Sequence, residues 1–149
     1  MKDLIKTLTL FSLLLFLGAC GNDDDGGIGN NASCQISWKV DGQSESEEPL
    51  VCLYNDNTLN LGLTGSNLIQ LQVNNLTQPG TYDLAGQDAI ILLELGSGEK
   101  LGSNTGQIIV TEISSSKAKG TFSGTFFPIL DPNTPNTFSV TDGKFSANF

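Results

Sequence analysis

Histidine is absent from this chain of 149 residues, and all seven of its basic residues are lysine. Without histidine there is no Ser-His-Asp or Cys-His catalysis, and none of the common zinc sites can form. Without arginine there is no bidentate clamp for phosphate or guanine. A formal net charge of -9 also repels a polyanion whose binding requires basic neutralisation, so nucleic acid is excluded as a partner. Long apolar runs are missing too. The longest, Leu8 to Leu17 with Thr9 and Ser12 inside it, falls short of the roughly 20 residues that span a bilayer. Gly96-x-Gly98 lacks the lysine and helix that would make a phosphate-cradling loop. No cofactor and no metal is expected.

The start of the chain carries an address. Lys2 and Lys6 precede the apolar run, and Gly18 and Ala19 follow it, which is the layout of a secretory signal. Leu17-Gly18-Ala19-Cys20 resembles the lipobox of bacterial lipoproteins, with cleavage between Ala19 and Cys20 and acylation of the Cys20 thiol. Several acyl chains hold a protein to a membrane where one holds only marginally. Removing residues 1–19 takes away Lys2, Lys6 and Asp3 and leaves the remainder one unit more negative. Residues 20–32 then read as a tether: Asp23, Asp24 and Asp25 repel one another, and the glycines that follow add backbone entropy. The same acidic triad resembles the export signal of Bacteroidota surface lipoproteins, against which stands a plain acidic spacer. Residues 33–149 form one domain, long enough to bury about two-thirds of its unfolded surface.

That domain shows no sustained helical period. Short runs with period-two alternation are separated by Gly, Asn, Asp, Pro and Ser, the pattern of an antiparallel β-sandwich or barrel of about nine to eleven strands. The run 34–40 places Cys34, Ile36, Trp38 and Val40 on one face, and Asp41-Gly42 turns the chain. Residues 44–48 are polar and expected to be exposed, and 50–54 is the second strand. A loop at Gly65-Ser66-Asn67 pairs 63 with 69, 61 with 71 and 59 with 73, which sets every apolar side chain on one face. Residues 81–84 follow the turn at Pro79-Gly80. Residues 89–95 are apolar on both faces except for Glu94, so a central strand covered on both sides is expected. Residues 100–103 are expected as a short edge segment, and 107–113 as a strand turned by Ser114-Ser115-Ser116. In 117–127, Ala118, Gly120, Phe122, Gly124 and Phe126 share a face, its glycines admitting rings from a neighbouring strand. A polar, proline-rich loop runs from Pro128 to Pro135. Asp142-Gly143 is expected as a type I′ turn that pairs 140 with 145 and 138 with 147.

Several of these segments, in order, resemble a family of Bacteroidota lipoproteins described only as a domain of unknown function. They are Trp38-Lys39-Val40-Asp41-Gly42, Gly106 to Thr111, Gly120-Thr121-Phe122-Ser123-Gly124-Thr125-Phe126, and Val140-Thr141-Asp142-Gly143-x-Phe145. The resemblance covers about residues 33–149 and implies a small all-β lipoprotein domain with no assigned activity. Cys34 and Cys52 stand outside its pattern.

With Cys20 acylated, Cys34 and Cys52 remain either as a disulfide, which an exported protein permits, or as two buried thiols. Trp38 with Tyr54 and Tyr82 would make a sugar-stacking platform if exposed, but its phase with Ile36 and Val40 places Trp38 in the core. Glu94 and Glu112 are the carboxylates nearest to an acid-pair hydrolase, and outward-facing solubility residues are the simpler account. Asn55-Asp56-Asn57 and Asp131-Pro132-Asn133 lack EF-hand spacing and read as Asx turns rather than calcium loops. The expected protein is a non-enzymatic, lipid-anchored domain of the outer membrane facing the cell exterior. It would act as a binding or structural accessory toward an envelope protein or a glycan. A lipocalin-like cavity for a small apolar ligand, lined by the C-terminal phenylalanines, is the alternative.

Overall fold

Alternation of apolar and polar side chains dictates strands with one dry face, and the computed structural model, which describes residues 32–62, 69–131 and 135–149, contains ten of them. They are β1 (Ser33–Val40), β2 (Gln43–Glu47), β3 (Val51–Asn55), β4 (Thr58–Gly62), β5 (Ile69–Val73), β6 (Gly80–Asp83), β7 (Ala89–Glu94), β8 (Lys100–Ile113), β9 (Lys117–Pro128) and β10 (Phe138–Asn148). All pair antiparallel in one sheet of order β2-β1-β10-β9-β8-β7-β5-β4-β3, with β6 beside the second half of β8. The all-β expectation holds. Of the two architectures considered, the sheet follows the barrel-like one: it twists and curls into a half-barrel around its apolar face.

That inner face is filled by side chains from every long strand. Ile36, Leu59, Leu61, Ile69, Leu71, Ile91, Leu101, Ile108, Val110 and Phe126 are all fully or almost fully buried. Leu59 pairs with Val73 and Leu61 with Leu71, the register that keeps leucines opposite apolar partners. The expected 63–69 pair and the 65–67 loop lie outside the described residues. Gly120 faces Phe145 across β9 and β10. A Cβ on Gly120 would stand 2.5 Å from the Phe145 ring, so the glycine admits a neighbouring ring as its place among the phenylalanines implies.

Three expectations are corrected and one strand is added. Residues 100–103 are not an edge segment but the start of the fourteen-residue β8, which runs through the sheet interior between β7 and β9. A bulge between Ser103 and Thr105 carries the chain on, with Gly106 at φ 127° against the backbone of Ser123 and Gly124. Asp142-Gly143 does not make a hairpin. β10 is one continuous strand, paired along its length with β1 and β9, and Val140 faces Val40 rather than Phe145. The dipeptide is a bulge instead, with Asp142 in the left-handed region at φ 53°, and it re-aims the strand without ending it. Within the polar stretch 44–48, Ser44, Glu45, Ser46 and Glu48 are exposed as expected, and residues 43–47 are in addition strand β2, paired to β1 through the two-residue turn Asp41-Gly42. Finally, β7 is central but not covered on both sides. Ala89, Ile91 and Leu93 enter the core, whereas Ile90 is 41% exposed and Leu92 half-buried. A single curled sheet has only one interior, so the outward apolar residues of β7 have no second layer above them.

Candidate functional site

The expected anchor residues Ala19 and Cys20 and the acidic triad Asp23, Asp24 and Asp25 lie outside the described residues. Cys34 and Cys52 come together. They form a disulfide with Cα atoms 5.9 Å apart, joining β1 to the edge strand β3 at the far end of the strand order. Both cysteines are buried. Two residues along β3, Tyr54 stacks on Phe149 at 5.9 Å, just beyond the end of β10. The bridge and the ring pair therefore mark one seam, along which the curled sheet brings edge strand β3 against β1 and the end of β10, with no strand pairing between them among the described residues.

The other sequence candidates are dispersed. Trp38 is 6% exposed and belongs to the core. Tyr54 donates its hydroxyl to the Leu76 carbonyl at 2.6 Å, and Tyr82 donates to that of Gln78 at 3.0 Å. Burial, more than the nearby Tyr54 and Asp88, raises the Tyr82 pKa. The three aromatics do not form a platform. Glu94 pairs with Lys100 at the start of β8, and Glu112 sits near its other end, up to about 40 Å away along an extended strand. Glu112 is held by Lys117 and Lys119. The side-chain hydrogen bond from Lys117 above all keeps its carboxyl below the usual carboxylate range. No cleft unites these two acids. Asp56 and Asn57, at φ 49° and 59°, form the two-residue turn between β3 and β4 that Asx residues favour. In the Asp131-Pro132-Asn133 loop, 132 and 133 lie outside the described residues.

A different group does converge, on the outer face where β2, β1 and β10 run side by side. Ser46 faces Ser37 across β2 and β1, and Ser37 faces Lys144 across β1 and β10. One step along, Gln35 faces Ser146, and Glu48 follows the end of β2 beside them. These six side chains line an open trough of about 630 Å³. Gln35, Ser37, Ser46, Lys144 and Ser146 stand on the polar phase of their strands, so the same alternation that sends Ile36 and Phe145 inward turns them outward. The sheet fixes their spacing at about 4.8 Å between strands and roughly 7 Å between alternate residues. Among the described residues, none of the six side chains has a hydrogen-bond or ion-pair partner. Sequence reading missed the group because β1 and β10 meet across more than a hundred residues of chain. The available signal was only the polar phase of two separate runs. No protein family, curated protein or solved structure matches the chain.

Proposed function

We propose that this chain is a lipid-anchored domain of the cell envelope, displayed on the exterior of the outer membrane, and that it serves as a non-enzymatic binding or structural accessory. The observation that carries this reading is Leu17-Gly18-Ala19-Cys20 behind a complete secretory signal, because it supplies both export and a residue for acylation. The Cys34–Cys52 disulfide supports it, since such bonds persist in oxidising compartments outside the cytosol. The separation of Glu94 from Glu112 and the lack of histidine support a non-enzymatic role. An apolar cavity finds less support: Phe122, Phe126 and Phe145, the residues expected to line it, are packed at 3%, 0% and 4% exposure.

The test is the substitution Cys20→Ala. The unsubstituted chain is expected to incorporate labelled palmitate and to stay with membranes through a high-salt wash, and the variant to do neither as a processed protein. Release of the unsubstituted chain by salt alone, or its failure to take up label, would overturn the anchor.

A further inference from the structure

We propose that the outer trough over β2, β1 and β10 binds a neutral, linear oligosaccharide. The inference names a ligand class for the accessory role above, and it depends on the trough rather than on the anchor.

The side chains of the trough face solvent and keep their hydrogen-bonding groups open to a ligand. Elsewhere on the domain the lysines are engaged: Lys39 with Asp142, Lys100 with Glu94, and Lys117 and Lys119 with Glu112. Among the described lysines, Lys144 alone forms no ion pair, and its ammonium contributes only a minor part to holding the Asp142 pKa down. Around it stand three hydroxyls, one amide and one carboxylate, none with a partner among the described residues and all lining one cleft. The volume falls within the roughly 300–1,000 Å³ range of small-molecule sites. Five of the six positions are set by a paired sheet, with Glu48 just past the end of β2, so little ordering is lost on binding.

The chemistry of the six groups selects the ligand. Lys144 only donates, Glu48 only accepts, and Ser37, Ser46, Ser146 and Gln35 do both. One ammonium and one carboxylate cancel, so the trough exerts no net pull on an ion, and the acidic surface around it repels anions. An uncharged partner that donates and accepts many times along its length is a carbohydrate. The trough is open at both ends: one adjoining cleft continues past Asn148 and another past Lys39, which suits a chain rather than a single sugar. With Trp38 buried, no aromatic face is available for stacking. Affinity therefore rests on hydrogen bonds alone, in the range of about 0.1–1 mM for one copy, and many copies on one surface would strengthen it by avidity.

The experiment uses the full chain in detergent micelles, titrated calorimetrically with malto-, cello-, manno- and xylohexaose and, separately, with a heparin hexasaccharide. At least one neutral hexasaccharide is expected to bind. The double substitution Gln35→Ala with Lys144→Ala should weaken it at least about tenfold, whereas Lys100→Ala, which removes a lysine elsewhere, should leave it unchanged. A second reading uses the unsubstituted chain alone: amide shifts on adding the bound hexasaccharide should centre on residues 35–37 and 144–146. Absence of neutral saccharide binding up to about 10 mM, preference for heparin, or shifts centred elsewhere would each overturn the proposal. Acylation of Cys20 has no part in these readouts, so failure here leaves the anchor standing, and failure of the anchor leaves this test standing.

Discussion

Gly120 shows how one missing methyl group lets two strands share a ring. A Cβ there would collide with the Ile109 carbonyl oxygen and stand 2.5 Å from Phe145 Cζ, and the backbone oxygen cannot swing aside. Gly120→Ala is expected to destabilise the domain by about 1–3 kcal/mol, as overpacked cores do. Gly96→Ala, with nothing within 4 Å, should stay within about 0.5 kcal/mol. Urea unfolding of the two variants compares them directly. At Asp142 the relevant effect is charge. Its carboxylate accepts from Lys39 Nζ at 2.8 Å, and that hydrogen bond, followed by the lysine's charge, lowers its pKa. Because the folded-state value lies below the unfolded one, the pair's contribution is present above the ordinary carboxylate range and is lost as pH falls through the lowered value. Both groups are exposed, so the effect belongs to titration more than to stability. Carboxyl NMR should find the Asp142 midpoint below the ordinary Asp range, and Lys39→Ala should return it upward. An unmoved midpoint in that variant would contradict the assignment. Two Asp-Gly dipeptides mark the limit of what single residues reveal. Asp41-Gly42 turns a hairpin and docks on β10, where the Asp41 carboxylate accepts from the Ser139 amide at 2.9 Å. Asp142-Gly143 bulges inside a strand, because β1 and β9 hold β10 on both sides and Gly143 lies against the Phe122 ring. Local turn chemistry is the same in both places, and the neighbours that decide are distant in sequence.

Elements were legible wherever one side of a strand is wet. Alternation alone assigns Ile36, Trp38 and Val40 to the core, sets β4 against β5 in register, and sorts both faces of β9. It fails where its premise fails. β7 is apolar on both sides, which ordinarily signals two covering layers, yet one side carries Ile90 out to solvent. It is also silent on strand order, so the β1–β10 pairing that creates the trough could not be read from either run. The seam lies in the same blind spot, since only the fold shows that Cys34 and Cys52 meet. The bridge closes a segment with a sequence separation of 18, for which restriction of the unfolded chain is worth about 3 kcal/mol. Replacing both cysteines with serine is expected to remove about that much stability while keeping the strand spectrum, because Tyr54 and Phe149 still stack across the seam. Urea unfolding of the unsubstituted chain with reductant should shift equally. If reductant leaves its midpoint in place, the seam is held by packing and the bridge is incidental to stability.

At the scale of the whole molecule, the question is how an acidic domain proposed to hang from Cys20 reaches the outer side of its membrane. Asp23, Asp24 and Asp25 are where the two accounts of the tether diverge. A spacer needs only to be polar and flexible, and asparagine would serve as well as aspartate. A sorting signal must present negative charge beside the acylated cysteine, and asparagine would silence it. The described domain begins at Ala32, seven residues beyond the triad, and the first buried core residue among those described is Cys34. Neutralising the triad changes none of these buried residues. Changing all three to Asn is expected to leave palmitate incorporation and the Cys34–Cys52 bridge intact, and to strand the protein on the inner side of the outer membrane. Protease added to whole cells should then digest the unsubstituted chain and spare the variant, with both digested once the cells are broken. Equal digestion on whole cells would return the triad to a plain tether and assign surface display to some other feature of the chain.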